Sequence, residues 1–355
     1  MDAQEHIPSG SAAGIEQMLA ARELRAGREA AAFAAGVRMR SLTPARRGPI
    51  VERRSGVGEW DAIRAEPSST AGVPRIAETA GRAVLTELLI TPKPGLVDRR
   101  NCGAHHDMDF RTFLASANAI APWWRRFVEK GHETEQIPSR ALLPLVRPTG
   151  MLCEQAMFEA TRGVNTHKGA IFSLGLLCVA SGRLLARGIK LSRERMCAQV
   201  ASMCAGLVER ELDGQREPRT AGEHVFRRYG FSGARGEAAS GFALVRELAL
   251  PVYDRLRREG VGDEAALLQV LLHLLAVNAD TNLLSRGGLA GLEYVRDYAR
   301  RLLRDGGALA PDGEAKMAAF DDALIVRHLS PGGSADLLGV AWFLAQFPAE
   351  GMEAR

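Results

Sequence analysis

The sequence predicts an all-α protein: a compact multi-helix domain whose polar loops, at the ends of its helices, form one cleft. From residue 71 onward, apolar residues recur at intervals of three and four, the period of a helix that buries one face. Alternating apolar and polar β-branched residues, which are typical of strands, are nearly absent. Clusters of Gly, Asn, Asp, His and Lys fall where the helical periodicity stops.

The first predicted helix presents Ile76, Ala80, Val84 and Leu88 on one face, and the prolines of the segment TPKPG end it. The same spacing then runs from residue 110 to 124. Further helices are predicted over residues 151–162, 169–187, 193–211, 236–257, 263–279, 289–304, 313–329 and 335–347. The most apolar run, residues 170–180, is too short for a bilayer, which takes about 20 residues, and is expected to be a buried helix.

The first 70 residues differ from the rest of the chain. Residues 12–38 are rich in Ala and Arg, and residues 41–69 turn to Pro, Gly, Arg and Ser without a lasting period. Glu16, Glu23 and Glu29 argue against a transit peptide, because such peptides avoid acids. We therefore expect a poorly ordered extension and linker over residues 1–70, followed by one catalytic domain over residues 71–355.

Composition excludes several classes of function. The 46 basic and 42 acidic residues leave a net charge of only +4, which does not favour nucleic-acid or membrane binding. Five cysteines without a CxxC pair predict reduced, mostly buried thiols in a cytoplasmic protein. A local anion site fits this charge balance better, because loops before helix N-termini offer free N–H groups and a partial positive charge.

Five polar segments can provide such a site: residues 91–109, 163–169, 233–237, 280–288 and 330–336. In GVNTHKG, Lys168 can hold a phosphate, and Asn165 and His167 can form hydrogen bonds with a ligand. The alternative is a capped turn in which His167 bonds a backbone carbonyl. No P-loop and no GxGxxG motif is present, so the segments argue for a nucleotide only jointly.

The first segment offers acids for a hard cation. Asp107 and Asp109 lie two residues apart, and Mg²⁺ takes one or two carboxylates plus phosphate oxygens. The alternative for Asp109 is a cap of the helix that begins at Phe110. Adjacent histidines point to different sides, so at most one of His105 and His106 is expected in the site. Lys93, between two prolines, is predicted to be rigid and exposed, as a phosphate ligand or, in the alternative, only as a solvated charge.

The remaining segments have similar alternatives. Asp280 is predicted at a helix C-terminus, where its charge opposes the dipole and suggests a bound cation or an Arg partner; Arg286 is that partner or a phosphate ligand. In SPGGSAD, Ser334 is predicted as an N-cap with Asp336 in the first turn, and the glycine pair suggests a phosphate contact. In GARGE, Arg235 is a phosphate ligand or part of a loop ion pair, and Glu237 is a base or a first-turn acid.

Read together, TPKPGLVDRRNCGAHHDMDF, GVNTHKGAIFSLGLL, GARGEA, DTNLLSRGG and LSPGGSADLL resemble the triphosphoribosyl-dephospho-CoA synthase family. The form serving malonate decarboxylase is the nearest, with the citrate lyase form as its sibling. The resemblance covers residues 75–347. Cys102, where a second polar residue is expected after Asn101, departs from the pattern.

The resemblance implies that the 2′-hydroxyl of 3′-dephospho-CoA attacks the anomeric carbon of ATP, adenine leaves and the triphosphate is kept. It implies Mg²⁺ as cofactor, ATP and dephospho-CoA as substrates, and a phosphoribosyl-dephospho-CoA transferase or acyl carrier protein as partner; a homo-oligomer is left open. It also implies roles for particular residues. Expected for Mg²⁺ or general base are Asp98, Asp107, Asp109 and Asp280; for phosphate Lys93, Lys168, Arg235, Arg286 and Ser334; for ribose or adenine Asn165, His167 and Asn282; as spare carboxylates Glu87 and Glu237.

Two alternatives come from other classes of protein. The same segments would serve a magnesium-dependent hydrolase of ADP-ribose-type N-glycosidic bonds, with water in place of the sugar hydroxyl. A non-enzymatic assembly factor that carries a CoA derivative would bind dephospho-CoA without turning over ATP. Release of adenine that depends on dephospho-CoA distinguishes the synthase from both.

Overall fold

The computed structural model describes residues 72–213 and 217–350, which form helices, turns and loops without a strand. The prediction of an all-α fold is confirmed. The predicted extension, residues 1–70, lies outside the described residues. The helices, numbered in chain order, are α1 Gly72–Leu89, α2 Phe110–Glu133, α3 Leu143–Ala160, α4 Lys168–Ala186, α5 Arg193–Met203, α6 Leu207–Glu211, α7 Ala221–Tyr229, α8 Gly233–Ala239, α9 Leu250–Arg258, α10 Asp263–Val277, α11 Thr281–Arg304, α12 Gly313–Val326 and α13 Gly332–Ala345.

Helix α4 lies at the centre of the fold, packed against α1, α2, α3, α5 and α13. Its residues from Ala170 to Leu184 are almost all buried, as predicted for the most apolar run. The axes of α2 and α4 approach closely at Gly182, where an added Cβ would lie 2.0 Å from the carbonyl oxygen of Val128. This approach requires glycine, because any side chain would push the two helices apart.

By length and composition, helix α4 could cross a membrane. Helices α10 and α11 meet the same criterion only when they are taken together as one span bent by 56°. In the fold, 78% of the apolar window of α4 is buried inside the protein. Burial of this extent is what the core helix of a helical domain shows. Four of the five cysteines are also buried, as predicted, and Cys102 is exposed.

Two predicted helices are interrupted. The helix expected over 193–211 breaks before Gly206, whose φ of +70° leaves the right-handed helical region. The helix expected over 236–257 ends at Ala239, and the chain turns through Phe242, at φ +57°, into a π-helical turn over Val245–Ala249. The apolar periodicity of the sequence runs across both breaks, because the segments on either side bury their apolar faces in one core. The sequence therefore predicted one unbroken helix in each place.

The predicted and the observed helices differ more at their first residues than at their last. Helix α7 was not predicted, although Thr220 and Glu223 form a capping box that its T-x-x-E spacing encodes. Helix α3 begins at Leu143, eight residues before the predicted start at 151, and contains Pro148. Helix α11 begins at Thr281 and continues past a break at Gly288, so most of the segment 280–288 is helical rather than loop.

Candidate active site

A cleft of about 620 Å³ collects residues from all five polar segments. The predicted convergence of helix ends on one cleft is therefore present in the described structure. The residues of the five segments that line it are Leu96, Val97, His105, Asp107, Met108, Asn165, Thr166, His167, Lys168, Gly169, Gly233, Ala234, Arg235, Glu237, Asp280, Thr281, Asn282, Arg286, Ser330, Gly332, Gly333, Ala335 and Asp336.

The N-terminus of α4 and the N-terminal part of α13 interlock in this cleft. A Cβ on Gly169 would lie 1.8 Å from Oδ2 of Asp336, so glycine lets this carboxyl approach the start of α4. The backbone N–H of Ala170 donates a hydrogen bond to it. A helix N-terminus favours an acceptor here, since its first N–H groups have no partner within the helix. The last glycine of GVNTHKG and the aspartate of SPGGSAD thus form one unit.

The pKa of Asp336 lies well above the usual range of a carboxyl group. Burial raises its pKa most, and the nearby carboxylates of Glu87 and Asp280 raise it further by repulsion. The hydrogen bond from Ala170 acts in the opposite direction and does not compensate. The sequence predicted Asp336 in the first turn of its helix, which was wrong, because α13 already begins at Gly332. Nothing local in the sequence shows that two other acids lie near Asp336.

Asp280 occupies a position opposite to the predicted one. Helix α10 ends at Val277, and Asp280 is the N-cap of α11, accepting from the backbone N–H groups of Asn282 (2.9 Å) and Leu283 (3.4 Å). The prediction of a helix C-terminus was wrong, because the apolar run of α10 stops three residues before the acid. The charge agrees with the dipole of α11, so no cation is needed to explain it.

Ser334 joins Asp280 to the start of α13. Its backbone N–H and its hydroxyl donate to Oδ2 of Asp280, at 2.7 and 2.9 Å, and the amide of Asn278 donates to its hydroxyl at 3.0 Å. Ser334 is not the predicted N-cap, because α13 already begins at Gly332 with Pro331 before it. It is fully buried and does not line the cleft, so the prediction of a phosphate contact was wrong as well. Burial raises the pKa of Asp280 despite these donors.

His167 is a buried, neutral imidazole at the edge of the cleft. Its Nδ1 lies 2.7 Å from the hydroxyl of Ser116, and its ring meets Phe113 edge to face. Burial, with a contribution from Lys93, lowers its pKa to about 3. Nε2 is buried and has no hydrogen-bond partner among the described residues. The side chain bonds a hydroxyl rather than the backbone carbonyl of the capped-turn alternative, and one ring nitrogen remains for a ligand.

Lys93 is buried, so the prediction of an exposed phosphate ligand was wrong. Its ammonium lies 2.5 Å from a carboxylate oxygen of Glu87 and 2.6 Å from the backbone carbonyl of the same residue. Only 1% of its side chain is exposed, against 12% for Glu87, and only Glu87 lines the cleft. The loop after α1 turns back toward that helix, which carries the lysine inward. Lys93 holds a cleft carboxylate instead of reaching a phosphate.

Asp98 organises the first loop from outside the cleft lining. Its carboxylate accepts from the backbone N–H groups of Lys93 (2.8 Å), Arg100 (2.7 Å) and Asn101 (3.2 Å). Asp321 on α12, which the sequence did not single out, supports the same loop by accepting from the side chain of Asn101 at 2.7 Å. Both aspartates have partners within the protein that account for their burial.

Asp109 forms the capping box of α2 with Thr112, as the alternative reading of the sequence expected. The backbone bonds of that cap lower its pKa, and it does not line the cleft. Asp107 does line it and is largely exposed, with one oxygen 3.7 Å from Nδ1 of His105. The four aspartates expected for a cation are thus not brought together: Asp107 and Asp280 share the cleft, and Asp98 and Asp109 lie outside its lining.

Arg286 lies on the side of the cleft where the first and fourth segments meet. Its guanidinium donates to the carbonyl of Ala104 at 2.9 Å and lies 3.2 Å from His105 Nδ1; it does not pair with Asp280. The other nitrogen of His105 meets the hydroxyl of Ser330 at 2.8 Å, and burial lowers the pKa of this histidine. His106 stacks edge-on with His328 and does not line the cleft, so one histidine of the pair faces it, as predicted.

Glu237 is a cleft carboxyl whose pKa lies near neutrality. Burial raises its pKa to about 7, and a hydrogen bond from the backbone N–H of Leu244, at 3.3 Å, opposes the shift. Arg235, on the same short helix, forms ion pairs with Glu211 at 2.9 Å and Glu223 at 3.5 Å, the loop ion pair that the sequence left open. A carboxyl with this pKa can exchange a proton at the pH of the cell.

The remaining predicted ligands also line the cleft. Asn165 accepts from the backbone N–H of Lys168 at 3.2 Å, and the ammonium of Lys168 pairs with Glu154 of α3 at 2.9 Å while remaining about half exposed. Asn282 lies in the first turn of α11 beside Gly332. Within residues 72–213 and 217–350, no group of three or more His, Cys, Asp or Glu side chains is placed to hold a metal ion by itself.

Comparison with known proteins gives consistent matches. A family model described as ATP:dephospho-CoA triphosphoribosyl transferase matches residues 74–354. The 2-(5''-triphosphoribosyl)-3'-dephosphocoenzyme-A synthase of Klebsiella pneumoniae is 54% identical over 275 residues, 77% of this chain and 91% of that protein. Synthases of the same name from Escherichia fergusonii and Pectobacterium atrosepticum are each 51% identical over 275 residues, covering 77% and 78% of this chain and 91% and 90% of theirs. No solved structure matches the chain. The matched region contains all five polar segments.

Proposed function

The chain belongs to the ATP:dephospho-CoA triphosphoribosyl transferase family, and from this premise we propose how its cleft joins the triphosphoribosyl group of ATP to the 2′-hydroxyl of 3′-dephospho-CoA. The enzyme is a transferase that releases adenine and keeps the triphosphate. The observation that carries the assignment of the site is the convergence of all five polar segments on one cleft. Neither a hydrolase nor a non-enzymatic carrier is favoured by any contact in it.

Glu237 is the general base in this proposal. The bond from the 2′-oxygen to the anomeric carbon forms as the hydroxyl proton passes to the Glu237 carboxylate, and a base with a pKa of about 7 suits this step near neutral pH. The bond between the anomeric carbon and N9 of adenine breaks, and its electron pair leaves with adenine. Because the transition state resembles an oxocarbenium ion, two carboxyl groups on opposite sides of the sugar serve the reaction, as in glycoside cleavage.

Asp336 is the general acid. Its pKa lies well above the usual range, so the carboxyl is protonated and can deliver a proton to the departing adenine. Solvent then returns the proton from Glu237 to Asp336. Asp280, anchored by Ser334 and the start of α11, remains a positioning group rather than the base, and the free Nε2 of His167 accepts or donates a hydrogen bond to ribose or adenine. Asn165 and Asn282 serve the same ligands.

We assign the triphosphate to the side of the cleft lined by Arg286 and Asp107, and Mg²⁺ to Asp107 together with phosphate oxygens. Described residues provide no three-ligand site, but Mg²⁺ needs only one or two protein carboxylates when a phosphate chain completes its shell. Asp107 is exposed to the cleft, so it fits this requirement. A bound magnesium ion supplies neutralisation of the triphosphate charge. Chelation with EDTA is expected to abolish turnover and added Mg²⁺ to restore it.

We also propose that the product serves the acyl carrier protein of a malonate decarboxylase and that the enzyme acts in the cytoplasm. The support for the malonate pathway is the resemblance of the five polar segments taken together, in which the malonate-associated form is the nearest and the citrate lyase form its sibling. Transfer of the product by a phosphoribosyl-dephospho-CoA transferase to malonate decarboxylase carrier protein, compared with citrate lyase carrier protein, tests the first point.

The reaction itself is tested by incubation with ATP, Mg²⁺ and dephospho-CoA, with adenine measured by chromatography and the conjugate by mass spectrometry. Adenine is expected only when dephospho-CoA is present. Release of adenine from ATP alone, or cleavage of ADP-ribose at a comparable rate, would show a hydrolase instead.

A further inference from the structure

Helix α3 carries an exposed apolar stripe that the fold does not cover. Met151 is 63% exposed and Leu152 51% exposed, and together with Pro148, Gln155 and Phe158 they recur at the spacing of one helical face. These residues, with Glu154 and Glu159, line a shallow groove of about 750 Å³, which we call the α3 groove. Such a stripe marks a binding surface when the residues around it are polar.

The α3 groove adjoins the active-site cleft. Phe158 is among the lining residues of both. The ammonium of Lys168, a cleft residue, lies 2.9 Å from the carboxylate of Glu154, a groove residue. A ligand that extends from the cleft beyond Lys168 can therefore reach the α3 groove.

The proposed acceptor substrate has two chemically different halves. Its adenosine carries the reacting 2′-hydroxyl, which must reach Glu237 inside the cleft, and its diphosphate connects that half to a pantetheine arm. We propose that the α3 groove binds the pantetheine arm, with Lys168 holding the diphosphate at the junction; this assignment rests on the proposed function. The lysine would exchange its ion pair with Glu154 for the phosphate charge.

Length and polarity fit this occupant. From Pro148 to Glu159 the helix rises by about 16 Å, at 1.5 Å per residue. The arm is a chain of about twelve atoms, equal to about four extended residues or ~14 Å. Its geminal methyl groups and its thioethylamine end suit Met151, Leu152 and Phe158. Its two amides can donate to Glu159 and bond with Gln155, whose side chains already pair at 2.8 Å.

The experiment compares wild type with the double variant Met151→Gln, Leu152→Gln. Both side chains are exposed and Gln is a good helix former, so the fold should be kept. The KM for dephospho-CoA is expected to rise about tenfold, because apolar contacts with the arm are lost, while kcat and the KM for ATP stay unchanged. ADP, which lacks the arm, should inhibit competitively against dephospho-CoA with the same Ki in both proteins. The matched control is Val326→Gln on α12, which is 76% exposed and should change none of these constants.

Two results would overturn the proposal. An unchanged KM for dephospho-CoA in the double variant would show that the arm lies elsewhere. A change in molar mass by light scattering between wild type and variant would show that a second copy covers α3. If the wild type released no adenine with dephospho-CoA, the proposed function would fail, and this inference with it. In the two results above, the wild type still turns over, so failure of this inference is distinguishable from failure of the proposed function.

Discussion

Replacing Gly169 by alanine tests the interlock between α4 and α13 that shapes the active site. A Cβ at this position would lie 1.8 Å from Oδ2 of Asp336, whereas ordinary contact begins at 3.4 Å. The carboxyl must therefore move by about 1.6 Å. Because Oδ2 is the end of a side chain and not backbone, the helices can stay in place while the proposed acid is displaced.

The expected effect on stability is small and that on activity is large. Alanine within a helix gains about 0.8–1.0 kcal/mol over glycine. Displacing Asp336 leaves the buried N–H of Ala170 without its acceptor, at a cost of about 1–3 kcal/mol. The net loss in the free energy of unfolding is then no more than about 2 kcal/mol. A misplacement of this size in a reacting group reduces kcat/KM by about 100-fold.

Urea unfolding and initial rates of adenine release measure the two quantities on the same preparation. Gly150→Ala in α3 is the matched control, because no heavy atom lies within 4 Å of an added Cβ there. It should raise stability by up to about 1 kcal/mol and leave turnover unchanged. Wild-type kcat/KM in Gly169→Ala would refute the role given to Asp336, and so would a loss of activity fully explained by unfolding.

Three further predictions concern charges. Lys93→Met should lower the free energy of unfolding by about 3–5 kcal/mol in urea titrations, because it leaves the Glu87 carboxylate without its buried partner, whereas Arg99→Met, in an exposed pair, should cost less than about 1 kcal/mol. The kcat/KM should fall as pH drops through about 7, since burial raises the pKa of Glu237 to that value and only the deprotonated form is a base; Glu237→Gln should lose this limb and about 100-fold or more in kcat, and an unchanged profile would contradict the assignment. Burial keeps His167 neutral with a pKa of about 3, so its ring nitrogen shifts should not titrate between about pH 5 and 8 by NMR, and a midpoint near about 6.5 would show the imidazole to be solvated.

Much of the site was accessible from sequence because its residues sit beside glycine-rich helix starts. His167, Lys168 and Asn165 were selected from one short segment, and all three line the cleft. The segments 233–237 and 330–336 were recognised in the same way. Local patterns suffice here, since a helix N-terminus imposes its own preference for glycine and for polar side chains on the residues around it.

The direction of a side chain was the main source of error. Lys93 reads as exposed, because the two prolines beside it stiffen the backbone, yet its ammonium is buried against Glu87. Asp280 was assigned to the wrong helix end, because the apolar period of α10 and the cap of α11 lie only three residues apart. In both places the residue was located correctly along the chain, but the neighbour that its side chain meets depends on how the loop folds back or the next helix begins.

By itself, the sequence determined the all-α class, the burial of α4 and the residue types available at each helix end, because these follow from local periodicity and capping. Tertiary structure alone decided which acids meet. The raised pKa of Asp336 depends on carboxylates from α1 and from the start of α11, and that of Glu237 on burial in the assembled cleft. Electrostatic interaction and loss of solvent depend on distances in space, and no spacing along the chain encodes them.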